Sequence, residues 1–412
     1  MTLALSGARR RSEERPPQAP CRLAALGLVT ALGRGPEETW PRLLAGDQSR
    51  LRVRGDLVPG KSLVVGEVTG PLPAIPQRLR RFACRNNALT LAALEPLEPA
   101  IAELVRSAGR TRVGVVLGSS TSGVGDAEVA IRHRRETGAL ATAFHYEQLE
   151  FGGAARFAAE LLGLAGPCYT LSTACSSGAR ALASARSLLA LGLCDAVVAG
   201  ATDSLCGLTT NGFGALQLVS DEVANPCSAN RKGLTLGEGS AIFLATREAG
   251  GIQLRGVGES SDAHHMSAPD PDGRGAESAM RGALADAGLA PEAIAYLNLH
   301  GTGTALNDAV ECAAVARVFP APPPSSSTKP LVGHALGAAG ALEAAFCWLV
   351  LREARGGSLE LPPHAWDGRR DPALPDLPFA AKGARAPAGP VMTNSFGFGG
   401  NNCTLVLEGG PA

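Results

Sequence analysis

Four segments combine side chains and spacings that suggest chemistry. The first is TLSTACSSGARAL, residues 170–182, where Cys175 stands between an apolar, strand-like run and a helix of small residues. At a helix start the N-terminal dipole and the free backbone N–H groups favour thiolate over thiol, and small neighbours (Ala174, Ser176, Ser177) leave a substrate room to reach the sulfur. A structural cysteine buried in a core helix fits this stretch equally well. The second, YLNLHGTGTALND, sets His300 at the carboxyl end of a strand, where α/β folds bind ligands. Gly301 and Gly303 remove bulk beside the imidazole, while Thr302 and Thr304 offer hydroxyls to an amide-bearing ligand; a satisfied core histidine is the alternative.

The third segment is KPLVGHALGAAGALEAAF, residues 329–346. Lys329 precedes a turn, His334 is expected to begin a helix rich in alanine and glycine, and such a helix must pack close to another backbone. A buried ammonium is costly without a partner, so Lys329 and Glu343 are expected to pair; a surface lysine ahead of a glycine-softened helix is the plainer reading. In the fourth, NSFGFGGNN (394–402), Phe396, Gly397, Phe398 and Gly399 are expected to form a flexible loop whose backbone N–H groups approach a reacting oxygen. Phe396 and Phe398 could close over a pocket. As a phosphate cradle the loop lacks the helix start and lysine of a P-loop.

The elements that must position these groups alternate along the chain. Apolar strand-length runs occur at 21–33, 112–120, 168–174 (leaving the Gly-Pro turn) and 194–204, with helices at 37–46, 151–166 and 176–193. After residue 250 the pattern resembles the first half: strands at 251–258, 293–301, 391–400 and 402–408, helices at 276–288, 307–318 and 334–352. The spacing predicts α/β layers, and the continuously apolar strands predict sheets covered on both faces. The chain has 412 residues, 45% apolar, with 38 basic and 38 acidic side chains, so no net field draws it to nucleic acid or an anionic membrane. Apolar runs are interrupted before the length a membrane span needs. The ten cysteines show no metal-ligand spacing and suit a reducing, cytoplasmic setting. Residues 1–20 read as a disordered leader.

Taken in order, these segments resemble the elongating β-ketoacyl-acyl-carrier-protein synthases of fatty acid and polyketide synthesis. The match covers nearly everything from 21 to 408: GLVTALGRGPEETWPRLLAG, TACSSGA, NPCSANRKGLTLGEGSAIFLA, SSDAHHM, HGTGTALND, KPLVGHALGAAGALE and NSFGFGGNN. The resemblance implies a thiolase fold in which two related halves, 21–250 with the nucleophile and 251–412 with the two histidines, stack as five α-β-α-β-α layers. It implies a homodimer, or a heterodimer with a related synthase subunit.

By that resemblance Cys175 takes an acyl chain from an acyl carrier protein, and the backbone N–H groups of Cys175 and Phe398, flanked by Gly397 and Gly399, hold the oxyanion. His300 and His334 stabilise the enolate left when malonyl carrier protein loses carbon dioxide. Lys329 and Glu343 orient the site, Thr302 and Thr304 touch the phosphopantetheine arm, and Phe396 and Phe398 border the substrate. The resemblance implies no metal and no cofactor beyond the carrier's phosphopantetheine. Thiolases use a second cysteine, initiating synthases an asparagine in place of His334, and the non-condensing chain length factors lack the cysteine, so Cys175 argues against that last reading; a non-catalytic partner subunit in which Cys175 is a relic is the alternative. Departures from the family pattern are Ala305, Asn401, Lys232 and Cys227, and CDAVVAGATDSLCGLTTNGFGALQLVS and NPCSANRKGL resemble synthases of aryl polyene pigment clusters.

Overall fold

The computed structural model describes residues 20–410; the segment read as a leader lies almost wholly outside them. Ten strands build the framework. The first five are β1 (Arg22–Thr30), β2 (Val113–Gly118), β3 (Cys168–Leu171), β4 (Ala196–Asp203) and β5 (Gly239–Thr246). The second five are β6 (Ile252–Ser261), β7 (Tyr296–Asn298), β8 (Ser325–Ser326), β9 (Val391–Gly397) and β10 (Asn401–Gly409). Their spatial order is β3-β2-β4-β5-β1 followed by β6-β10-β9-β7-β8, so each half places its own strands in the order third, second, fourth, fifth, first. The pairing repeats as well: β2 is parallel to β3 and β4, and β7 to β8 and β9, while the β4-β5-β1 and β9-β10-β6 runs are antiparallel. The halves meet where Arg22 pairs with Gln253. The likeness of pattern before and after residue 250 is thus a repeat of topology.

Helices cover every face. Helices α1 (Arg85–Leu94) and α2 (Gly153–Leu162) pack outside the first half; α3 (Ser177–Ala190) and α6 (Ala339–Arg352) lie between the halves; α4 (Arg274–Ala287) and α5 (Ala305–Val318) cover the outside of the second. Strand alternation divides the side chains among these layers. Val113, Val115 and Leu117 face the outer helices while Val116 joins the central core; in the second half Met392 and Val406 point outward, Val391 and Leu405 inward. Both faces being covered, the strands read as unbroken apolar runs.

The central pair explains the small residues. Every residue of α6 from Ala339 to Val350 is buried, as expected of a helix enclosed on all sides. A Cβ on Gly178 of α3 would lie 2.7 Å from the Ala341 nitrogen, and one on Gly340 2.9 Å from that of Ala179. The two helices therefore touch backbone to backbone, and this contact fixes both ends of the site described next. Among the described residues no helix is long and apolar enough to cross a membrane.

Candidate active site

Between β3 and α3 the chain makes a tight corner whose apex is Ala174, at φ 53°. Only a small side chain is tolerated cheaply in this left-handed conformation. Neighbouring hydroxyls lock the corner: the Thr173 N–H donates to Ser177 Oγ (2.8 Å), and Ser176 Oγ and Ser177 Oγ donate to the carbonyls of Thr173 (2.8 Å) and Ala174 (2.6 Å). Cys175 follows, two residues before the first helical residue and buried, its Sγ turned to the interior. Below it the fully buried Asp203, at the end of β4, accepts bonds from Ser119 Oγ, the Ser120 N–H and both the N–H and hydroxyl of Thr121, all at 2.8 Å.

His334 Nε2 lies 3.1 Å from Cys175 Sγ. Its placement differs from the expected helix start. Lys329–Val332 is a single helical turn, Gly333 turns the chain at φ 76°, and His334 runs as a bridge beside Leu236, its N–H donating to the Thr235 carbonyl at 2.7 Å. Leu336, at φ 48°, makes a second break before α6 begins at Ala339. Two left-handed residues within four positions override the helical periodicity.

His300 sits two residues past β7, its ring 5.4 Å from that of His334 and edge-on to it. Glu311 of α5 holds its backbone, accepting the N–H groups of His300 (2.8 Å) and Gly301 (2.7 Å) and the Asn394 amide (3.1 Å). Lys329, 2% exposed, donates to the His300 carbonyl and to Glu343, and its Nζ is 3.4 Å from His300 Nδ1. An ammonium at that distance keeps Nδ1 as the acceptor, which puts the ring proton on Nε2. The expected Lys329–Glu343 pair is present.

The protonation states follow from enclosure. Burial first, then the Lys329 charge, holds both imidazoles well below their ordinary value, so both are neutral. Burial pushes the Glu343 carboxyl up to about 7 against the pull of Lys329. The Cys175 thiol is likewise raised, to about 11, by burial; Lys329 and a hydrogen bond from the Phe398 N–H draw it back. This corrects the expectation of a resting thiolate: removal of the sulfur from water outweighs the helix start, and Cys175 rests as a thiol beside a neutral imidazole.

The segment read as a flexible loop is a hairpin corner. Strand β9 runs through Gly397, a single 3-10 turn covers Phe398–Gly400, and β10 begins at Asn401. Gly397 passes so close to the β3–α3 corner that a Cβ there would be 3.2 Å from the Cys175 nitrogen. Gly399 takes φ 77° and bonds back to the Met266 carbonyl. The Phe398 ring rests on Phe213 at 5.3 Å, and Phe396 faces His300 at 6.1 Å. Thr302 and Thr304 are buried, with hydroxyls 2.9 Å apart. Beside their loop opens a cleft of about 780 Å³ lined by Asn225, Arg231, Lys232 and Trp366; the Gly233 N–H ties its wall to the Gly303 carbonyl at 2.9 Å.

Cys175, His300 and His334 offer three donor atoms within 4.8 Å of one another, a spacing that a soft divalent ion could accept. The buried ammonium against His300 opposes a second positive charge there, and the same three groups suit nucleophile and proton chemistry. Sequence reasoning missed the carboxylates that hold the loops. Asp203 and Glu311 were not singled out, and Asp308, which accepts the Gly303 N–H at 3.1 Å, was quoted only as part of a motif. The available signal was the pair Asp308 and Glu311, one helical turn apart and directly after the glycine-threonine loop.

Residues 23–249 match the family model "Beta-ketoacyl synthase, N-terminal domain", and 252–356 match "Beta-ketoacyl synthase, C-terminal domain". The chain is 31% identical to 3-oxoacyl-[acyl-carrier-protein] synthase 2 of Coxiella burnetii, over 94% of this chain and 97% of that one. It is 30% identical to the mitochondrial 3-oxoacyl-[acyl-carrier-protein] synthase of Arabidopsis thaliana, over 93% and 92%. Among solved structures it superposes with a TM-score of 0.90 and 42% identity on a chain of the ketosynthase ApeO in complex with its chain length factor ApeC from Xenorhabdus doucetiae, covering 97% of this chain and all of that one.

Proposed function

The chain belongs to the beta-ketoacyl synthase family, and on that premise we propose how its residues perform a decarboxylative condensation. The enzyme is a 3-oxoacyl-[acyl-carrier-protein] synthase with a thiolase fold. The observation that carries the assignment of roles is the 3.1 Å contact between His334 Nε2 and Cys175 Sγ. In the first half-reaction Cys175 attacks the thioester of an acyl carrier protein, its proton passing to the departing phosphopantetheine thiol while the His334 Nε2–H steadies the charge developing on the sulfur. The thioester oxygen gains negative charge against the Cys175 and Phe398 N–H groups.

A malonyl carrier protein then binds. Its carbon–carboxylate bond breaks, carbon dioxide leaves, and the electron pair becomes an enolate whose oxygen accepts the Nε2–H groups of His300 and His334. Neutral imidazoles suit this role because they donate without protonating the carbanion. The enolate carbon attacks the Cys175 thioester; the tetrahedral oxyanion collapses, the sulfur leaves as thiolate and takes a proton from solvent, and a 3-oxoacyl chain longer by two carbons remains on the carrier. Lys329 and Glu343 fix the tautomer and position of His300. Phosphopantetheine arrives on the carrier, past Thr302 and Thr304. The partners are an acyl carrier protein and a second synthase-like subunit, in the cytoplasm, where ten free thiols stay reduced.

Phe398 supplies a backbone donor and, separately, a ring packed on Phe213. Phe398→Ala keeps the donor and removes the ring, so acylation of Cys175 by long chains is expected to change about tenfold, while decarboxylation of malonyl carrier protein by pre-acylated enzyme changes little. Single-turnover assays of the two halves check this; equal loss in both overturns the separation. The resemblance of CDAVVAGATDSLCGLTTNGFGALQLVS and NPCSANRKGL to synthases of aryl polyene pigment clusters supports conjugated, aryl-primed chains over saturated ones. The test is intact-mass measurement of Cys175 acylation with saturated, polyunsaturated and aryl-primed carrier thioesters, followed by addition of malonyl carrier protein. Preference for saturated chains returns the enzyme to ordinary fatty acid elongation, and absence of any 3-oxoacyl product sinks the condensing role.

A further inference from the structure

A second pair of thiols lies behind the catalytic loops. Cys227 Sγ and Cys312 Sγ are 3.5 Å apart, in a side-chain contact spanning 85 positions of sequence. Cys227 lies in the loop that forms a wall of the cleft; Cys312 is on α5, one residue beyond Glu311 and one turn beyond Asp308. Two further observations single out the pair. Cys227 is held at φ 61°, a costly conformation for a side-chain-bearing residue. Its N–H is fixed there by Asp308 Oδ2 at 2.7 Å. Cys227 also lines a separate cavity of about 200 Å³, bordered by Arg370, Asp371, Pro372 and Phe379, which gives a small oxidant room beside the sulfur.

We propose that Cys227 and Cys312 are a modification site distinct from Cys175, a dithiol that a peroxide converts to a disulfide. One thiol attacks a peroxide oxygen and becomes a sulfenic acid as water or an alcohol leaves; the second thiol displaces water from it, so two thiol hydrogens and two electrons pass to the peroxide. The sulfurs must approach by about 1.5 Å to reach bonding distance. Cys312 cannot follow freely, because α5 also carries Asp308, which holds Gly303, and Glu311, which holds His300 and Gly301. Closing the bond therefore pulls the Cys227 loop and the anchor of His300 against each other. The Cys312 contact, burial and the Asp308 carboxyl hold the Cys227 thiol well above its ordinary range, so the reaction is slow and answers to sustained oxidation.

The experiment exposes the full chain to graded hydrogen peroxide, alkylates remaining thiols and maps peptides by mass. The expected result is a linked Cys227–Cys312 peptide two hydrogens lighter than its parts, released by dithiothreitol. This readout does not depend on the condensing activity, so it stands apart from the failure of that reading. Peroxide also reaches Cys175, so turnover is compared with Cys312→Ala and, as a second variant, Cys227→Ala under the same dose. The parent is expected to lose about tenfold more activity, recoverable with thiol, than either variant. Full alkylation of Cys227 and Cys312 after Cys175 has been oxidised overturns the site. A link that forms while parent and variants lose activity in parallel overturns its coupling to His300.

Discussion

Cys175→Ala is expected to abolish the acyl-enzyme and lower condensation by about a thousandfold or more, yet to retain release of carbon dioxide from malonyl carrier protein. The first effect follows because, among the described residues, Cys175 is the thiol that lies against His334. The second follows from the division of labour in the site. His300 and His334 are held by Glu311, Lys329 and the Thr235 carbonyl, none of which depends on the sulfur, so the enolate donors stay in place when it is removed. Intact mass after incubation with acyl carrier protein, beside trapping of labelled carbon dioxide, measures both. An acyl adduct elsewhere on the variant would show that Cys175 is not the nucleophile. Loss of decarboxylation together with acylation would show that the imidazoles need the thiol to be placed.

Lys329→Ala is expected to cost about 3–5 kcal/mol of stability and most of the turnover, because it strands the Glu343 carboxyl inside the protein and frees His300 Nδ1. Glu343 is 2% exposed and its Oε2 has no hydrogen-bond partner among the described residues, so nothing else present compensates it. The loss depends on pH in a definite sense. In the parent, burial raises the Glu343 carboxyl from its ordinary 4.5 to about 7, so the folded form binds a proton that the unfolded form has released. Stability from this group accordingly declines as pH rises through that interval. Without the ammonium the upper end moves higher still, and the deficit of the variant against the parent should grow as pH rises through and beyond about 7. Thermal melts across that range check it; a constant deficit would falsify the pairing argument. Lys329→Met with Glu343→Leu removes both charges and is expected to recover most of the stability but little turnover, which separates positioning of His300 from structural support.

Much of the site was legible because its chemistry is encoded in short strings. TACSSGA carries a corner that needs small residues and hydroxyls, and the structure uses Ala174, Ser176 and Ser177 for those purposes. The small-residue helix after His334 implied close packing against another backbone, which Gly340 and Ala179 provide. Boundaries were less legible. The periodicity from 334 to 352 is helical, but two left-handed residues detach His334 from the helix and lay it beside Leu236. Likewise the glycines of NSFGFGGNN suggested mobility, whereas the β9–β10 ladder, which closes with Gly397 opposite Asn401, and the pairing of Asn401 and Asn402 with β6 pin them as a hairpin corner.

By itself the sequence determined the alternation of strands and helices, their repetition after residue 250, the covering of both sheet faces and the identity of the thiol, imidazoles and ammonium. These properties are local: periodicity, turn chemistry and composition are fixed by neighbours in the chain. The tertiary structure alone decided which carboxylate anchors which loop, that Cys227 meets Cys312, and which protonation state each catalytic group adopts. A helix start favours thiolate at Cys175, yet the ionised form must be stripped of water by complete burial, a cost that Lys329 and Phe398 draw back only in part and that rests on every surrounding atom. Desolvation is summed over space, whereas the helix dipole is read along the chain, and at Cys175 the spatial sum prevails.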